Sequence, residues 1–191
     1  MKVAQKLKEE NIAEYLLYMW QIEDLIRANG LDINKIISNV IDRYDLSPEQ
    51  RKSMIEWYES LIDMMRREDV VTSGHLQINK NILGQLVALH QQILKDPRFA
   101  DYHELFYRTL PYIVELRGKA GDTPAGEIET CFNALYGTLL LKLQKKEITP
   151  QTSEAIAQIS RFISLLARDF HLDEEDKLFN DNDKTDDGPG R

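Results

Sequence analysis

Along this chain apolar residues recur at three- and four-residue steps, and no segment sustains the alternation expected of a strand. The clearest stripes are Met54, Trp57, Tyr58, Leu61, Ile62 and Met65, and then Ile156, Ile159, Phe162, Ile163, Leu166 and Phe170. Each marks a helix with one face turned to a core. Proline supplies the boundaries. Ser47-Pro48, Asp96-Pro97, Thr123-Pro124 and Thr149-Pro150 each put a capping side chain before a proline. Proline suits the first helical position because its missing N–H has no partner there anyway. Gln50 adds the second half of a capping box to Ser47. These signals predict helices over 3–29, 33–44, 48–67, 74–95, 97–118, 124–146 and 150–171, with Gly30 stopping the first. Pro111 should kink or break the fifth near Tyr107. The expected fold class is all-α, a single helical bundle of six to seven helices over residues 1–172. From Asp173 to Arg191 the composition is that of a disordered acidic tail.

Two of these helices carry polar residues on their apolar side. At about 100° per residue, Glu23 and Arg27 fall in the same arc as Ile12, Leu16 and Trp20. Asn79 and His90 fall among Ile82, Leu83, Leu86 and Ile93. In a structural reading, Glu23 and Arg27 form an ion pair one turn apart at a helix crossing. Asn79 and His90 then hydrogen-bond a backbone group or a tyrosine, as buried polar groups normally do. In a functional reading the same residues line a pocket inside the bundle. There Arg27 grips a small anionic ligand with both arms of its guanidinium, Glu23 orients it, and His90 exchanges a proton near neutral pH. The candidate ligand-binding residues are therefore Glu23, Arg27, Asn79 and His90, and no residue is assigned a catalytic role. The structural reading is preferred.

The segment 124–146 has a main face of Ile128, Phe132, Leu135, Leu139 and Leu143. Behind it run Gly126, Thr130, Asn133, Ala134 and Gly137, small enough to admit a second helix closely. Either this helix is central, or it presents one side to a second subunit. A homodimer, or another protein partner, is the expectation.

At 191 residues, 42% hydrophobic and 29% charged, the chain has the composition of an ordinary globular protein. A single cysteine, Cys131, permits no intrachain disulfide. No stretch reads as a signal peptide or membrane span, so a cytoplasmic location is expected. The net charge of −8 is concentrated at the end, where residues 173–191 hold eight carboxylates against three basic side chains. That balance disfavours nucleic acid and anionic membrane as partners.

Known chemistry fails to appear. Gly121 and Gly126 have the spacing of a phosphate loop, but Glu127 stands where the lysine belongs. "DNDKTDDG", beginning at Asp181, imitates a calcium loop and ends before its closing glutamate. His75, His90, His103 and His171 form no metal-ligand motif, so neither a metal site nor a cofactor is expected.

The run "NIAEYLLYMWQIEDLIRA", residues 11–28, resembles the opening of an all-helical family from Bacteroidetes bacteria described as a domain of unknown function. The resemblance spans about residues 1–175. It implies a helical, cytoplasmic protein and carries over no activity, cofactor or site residue. What the sequence leads us to expect is a non-enzymatic helical interaction or scaffold protein that self-associates. The alternative is a binding protein or enzyme built on Glu23, Arg27 and His90.

Overall fold

The computed structural model of the chain describes residues 2–119 and 125–180. Among them the elements are α1 (Lys2–Glu10), α2 (Ile12–Ala28), α3 (Ile33–Asn39), a 3₁₀ turn (Ile41–Arg43) and α4 (Pro48–Arg67). The second half holds α5 (Gln77–Ile93), α6 (Ala100–Lys119), α7 (Glu127–Leu143) and α8 (Pro150–Glu174). The described residues form eight α-helices and no strand, so the chain is all-α, with a higher helix count than the six to seven expected.

The extra helix arises at Asn11. Its backbone turns extended (φ −157°, ψ 100°) and its side chain accepts from the N–H groups of Ala13 and Glu14. A capping side chain inside the stretch expected to be one helix thus ends one helix and starts another. The predicted helix 33–44 is likewise shorter, because its last turn tightens into the 3₁₀ segment.

The proline signals succeed where their caps are local. Ser47 forms the full capping box with Gln50, and Thr149 caps α8 through the N–H of Thr152. Asp96 does something else. Its carboxylate holds the N–H and guanidinium of Arg98, and α6 begins only at Ala100. The helix start read at Thr123-Pro124 and the chain beyond residue 180 lie outside the described residues. Pro111 sits inside α6 on its exposed side, and the helix continues through it without a break.

Helix α2 is the hub. It packs against α1, α4, α5, α7 and α8, which explains why its sequence is apolar nearly all round. Helices α2, α5, α6, α7 and α8 surround a core that includes Leu16, Phe132, Phe162 and Leu166, while α3 and α4 form an outer layer on α2. Helix α7 is central, packed on α2, α5, α6 and α8 of its own chain. A methyl group added at Gly126 or Gly137 would meet nothing within 4 Å, so these small residues do not mark a tight helix contact. Past α8, Leu178 and Phe179 lie against the core, and the Phe179 ring packs edge-on to Phe99 at 5.4 Å. No helix among the described residues is long and apolar enough to cross a membrane.

Candidate functional site

Helix α5 starts with a deficit. Its N-terminal flanking residue is Leu76, which has no side chain able to cap, and the first N–H groups of any helix need acceptors. The acceptors come from elsewhere in the chain. Glu23, on α2 and completely buried, takes the Leu76 N–H on Oε1 at 2.9 Å. The same oxygen takes the side-chain amide of Asn79 at 2.7 Å. Oε2 lies 2.6 Å from Nδ1 of His75. Glu68, just past the end of α4, receives the Gln77 N–H at 2.6 Å. Two carboxylates thus sit at the positive end of the α5 dipole, where negative charge is stabilised.

The indole of Trp20 stacks on the His75 ring at 4.1 Å and 14°, covering one face of it. Trp20 also meets Phe132 and Tyr136 edge-on, which ties the cluster to α7. The Tyr136 hydroxyl donates to Asp24 at 2.5 Å, and burial raises its pKa, with the Asp24 hydrogen bond adding to the effect.

The ion pair expected between Glu23 and Arg27 does not form. Arg27 turns instead to Asp24, at 2.8 Å, and to the loop before α5. There its guanidinium donates to the carbonyls of Val70, at 3.1 Å, and Gly74. Gly74 has φ +84°, a conformation that favours glycine and allows this loop to turn its carbonyl toward Arg27. Placing both residues on the core side of α2 was correct; the partners were not. A carboxylate three residues away and a chain of backbone acceptors satisfy Arg27 better than the buried acid, whose lone pairs are already committed to α5.

His90 is not part of this cluster. It lies eleven residues beyond Asn79 on α5, or about 16 Å along a helix. Its ring is packed by Phe106 and Phe162, with Nδ1 2.8 Å from the Tyr102 hydroxyl. Burial pushes its pKa down to about 4, against a smaller upward pull from Glu127. It is therefore a neutral core residue at neutral pH and not a proton shuttle. Asn79 does reach Glu23, so of the four sequence candidates the structure joins only these two directly.

The residue that sequence reasoning missed is His75. It occupies an irregular linker, where helical periodicity says nothing about its position. One signal was available: a helix starting at Leu76 without a cap must borrow one, and Glu23 was an unexplained acid. Glu23 holds Nδ1 of the ring, whose side chain stays about one-third exposed. Among the described residues no group of three or more metal-ligating side chains comes together. Cys131 is fully buried and its pKa is pushed up to about 12, chiefly by burial, which leaves it an unreactive thiol.

Residues 1–177 match the family described as a domain of unknown function, DUF4924. The chain belongs to that family. No curated protein and no solved structure matches it. In this DUF4924 chain, the cluster around Glu23 joins α2, the loop before α5, the first turn of α5 and, through Trp20 and Tyr136, α7. Its geometry is that of a strut.

Proposed function

We propose that this protein is a non-enzymatic, cytoplasmic interaction module that self-associates through the outer face of α6. The carrying observation is an uncharged stripe along the exposed side of α6. Tyr107, Pro111, Val114 and Gly118 fall in one stripe there, all exposed, with Tyr107 63% and Val114 58% accessible. A solvated helix normally places its charges on that face. The charges lie beside the stripe, along its one edge, as Glu104, Arg108, Glu115 and Lys119.

Their order selects the occupant. Glu104 and Lys119 lie equally far on either side of the midpoint between Pro111 and Tyr112, and so do Arg108 and Glu115. An antiparallel second copy of α6, related by a two-fold axis at that midpoint, brings the same edge of both helices together. Glu104 then faces the other copy's Lys119, and Arg108 faces its Glu115. Within one chain these four already form the pairs Glu104–Arg108 and Glu115–Lys119, so the dimer would join two pairs into a network of alternating sign. A contact of one helix per subunit is small, and such dimers are weak and concentration-dependent.

The alternative of an anion pocket loses its support because Glu23 and Arg27 are committed to protein partners and His90 is elsewhere. Sedimentation equilibrium over a wide concentration range tests the dimer. Val114→Arg should weaken association by about tenfold or more, the equivalent of ~1.4 kcal/mol. Arg108→Glu should weaken it as well, and adding Glu115→Arg to that variant should restore it. A monomer at every concentration would retire the proposal.

A further inference from the structure

A second buried carboxylate lies beside the first turn of α6. Asp169, on α8, is 1% exposed. Its Oδ1 accepts from Nε and Nη2 of Arg168, at 2.9 and 2.7 Å. Its Oδ2 is buried and has no hydrogen-bond partner among the described residues. A buried acceptor left unmade costs about 1–3 kcal/mol, more when charged, so this oxygen calls for a donor.

Helix α6 has the opposite need. Helices α2, α3, α4 and α8 are capped by Asn11, Asp32, Ser47 and Thr149, and α5 by Glu23 and Glu68. No side-chain cap serves α6, and among the described residues the N–H groups of Ala100, Asp101 and Tyr102 have no acceptor. Three open N–H groups at the positive end of a 20-residue helix call for an anion. Both needs meet in one place. Asp169, Ala100, Asp101 and Tyr102 line a single cleft of about 230 Å³, whose apolar walls are Phe99 and Leu165.

A water molecule can donate to the carboxylate and accept from an N–H at once, but it brings no full charge of either sign. A small zwitterion supplies both. We propose that this cleft binds a free α-amino acid, with its ammonium at the Asp169 carboxylate and its carboxylate on the N–H groups of Ala100 and Asp101. The two groups of an α-amino acid are fixed close together, as a cleft of this size requires, and the side chain would lie along Phe99 and Leu165. Arg168, with its side chain two-thirds exposed, stands at the rim and adds attraction for the carboxylate. The volume is below that of sites for nucleotides and other large ligands. This inference does not rest on self-association and stands if the dimer test fails.

The experiment is a titration of the full chain with the proteinogenic L-amino acids, one at a time, followed by amide chemical shifts in NMR. N-acetyl and methyl ester forms, which remove the ammonium or the carboxylate, serve as controls. The expected result is saturable binding of at least one amino acid that shifts the amides of Ala100 to Tyr102. Both blocked forms should bind about tenfold or more weakly, as should Asp169→Asn, which keeps the side-chain size. Should Asp169→Asn fail to fold, Ala100→Pro removes one open N–H at a position where proline is compatible with the helix, and it should weaken binding similarly. No binding at millimolar concentration overturns the proposal, and so does equal binding of a blocked form. Undiminished binding to Asp169→Asn overturns it too.

Discussion

Glu23 and Asp169 are both fully buried acids set beside the start of a helix that lacks a cap of its own, yet they are treated very differently by the chain around them. Glu23 receives a backbone N–H, an amide and an imidazole from the segment 75–79, so both of its own oxygens have partners, although Asn79 Oδ1 and Trp20 Nε1 beside it have none among the described residues. Asp169 receives only its neighbour Arg168, on one oxygen, and the helix beside it keeps its N–H groups open. What separates a strut from a binding site is therefore not burial or charge. It is whether the protein itself supplies the complementary groups. An acid whose oxygens are both taken by the protein has nothing left to offer a ligand, whereas one with an oxygen left open has stored an affinity.

The comparison breaks most readily at Glu23. Glu23→Ala removes the partner of the buried Leu76 N–H and Asn79 amide and of the half-buried His75 ring, together with the charge at the head of α5. It should destabilise the fold by about 3–5 kcal/mol in urea denaturation followed by circular dichroism. A loss under about 1 kcal/mol would show that Glu23 is no more structural than Asp169. Replacing Glu23 and Arg27 together by apolar residues should not rescue the loss, since the two are not partners.

A pH series comes next in size. Burial holds the folded-state pKa of His90 at about 4, below the unfolded value of about 6.5, so between the two the unfolded chain binds the extra proton. Stability from this group is complete above about pH 6.5 and declines by up to about 3 kcal/mol as the pH falls toward 4. Asp169 acts with the opposite sign. Its pKa is raised by desolvation, with Arg168 opposing, so the folded chain keeps that proton longer and the contribution is lost as pH rises through the raised value. His90→Gln should flatten the acid limb of a stability profile and leave the Asp169 limb in place. An unchanged acid limb would refute the assignment.

The smallest effect is expected at Asp169. Asp169→Asn removes a charge with an unsatisfied oxygen and should change stability by less than about 1 kcal/mol, or raise it. A loss comparable with that of Glu23→Ala would make the two acids equivalent and erase the distinction.

What could be read from the sequence follows from the range of the forces involved. Local signals were legible: the Ser47 and Thr149 caps, the Gly30 stop, and the stripes of α4 and α8 are all present as read. Asn11 was equally local and was missed because the charged stretch before it and the apolar run after it were read as one helix. Its spacing to Glu14 was the clue. The core-side placement of Glu23, Asn79 and His90 came from helical phase and was correct, down to a tyrosine partner for His90. Their partners were not legible where they lie far along the chain: His75, Leu76 and Asn79 are more than fifty residues from Glu23. Arg27 was assigned to Glu23 because i,i+4 pairing is the rule that sequence offers, while its actual acceptors are backbone carbonyls of a loop, which no residue type announces. Asp169 and the open start of α6 were invisible for the same reason, since a missing partner has no sequence signature.

The burial of Cys131 has a practical consequence for measuring all of this. Thiol reagents attack the thiolate, and a thiol with its pKa pushed up to about 12 inside α7 presents almost none of it while the helices stay closed. Modification must wait for α7 to part from the four helices packed on it. Because the sequence holds one cysteine, the rate at which the natural chain is alkylated counts those openings directly. The protein carries its own stopwatch for breathing of its centre, with no label or engineered probe to disturb the packing being timed.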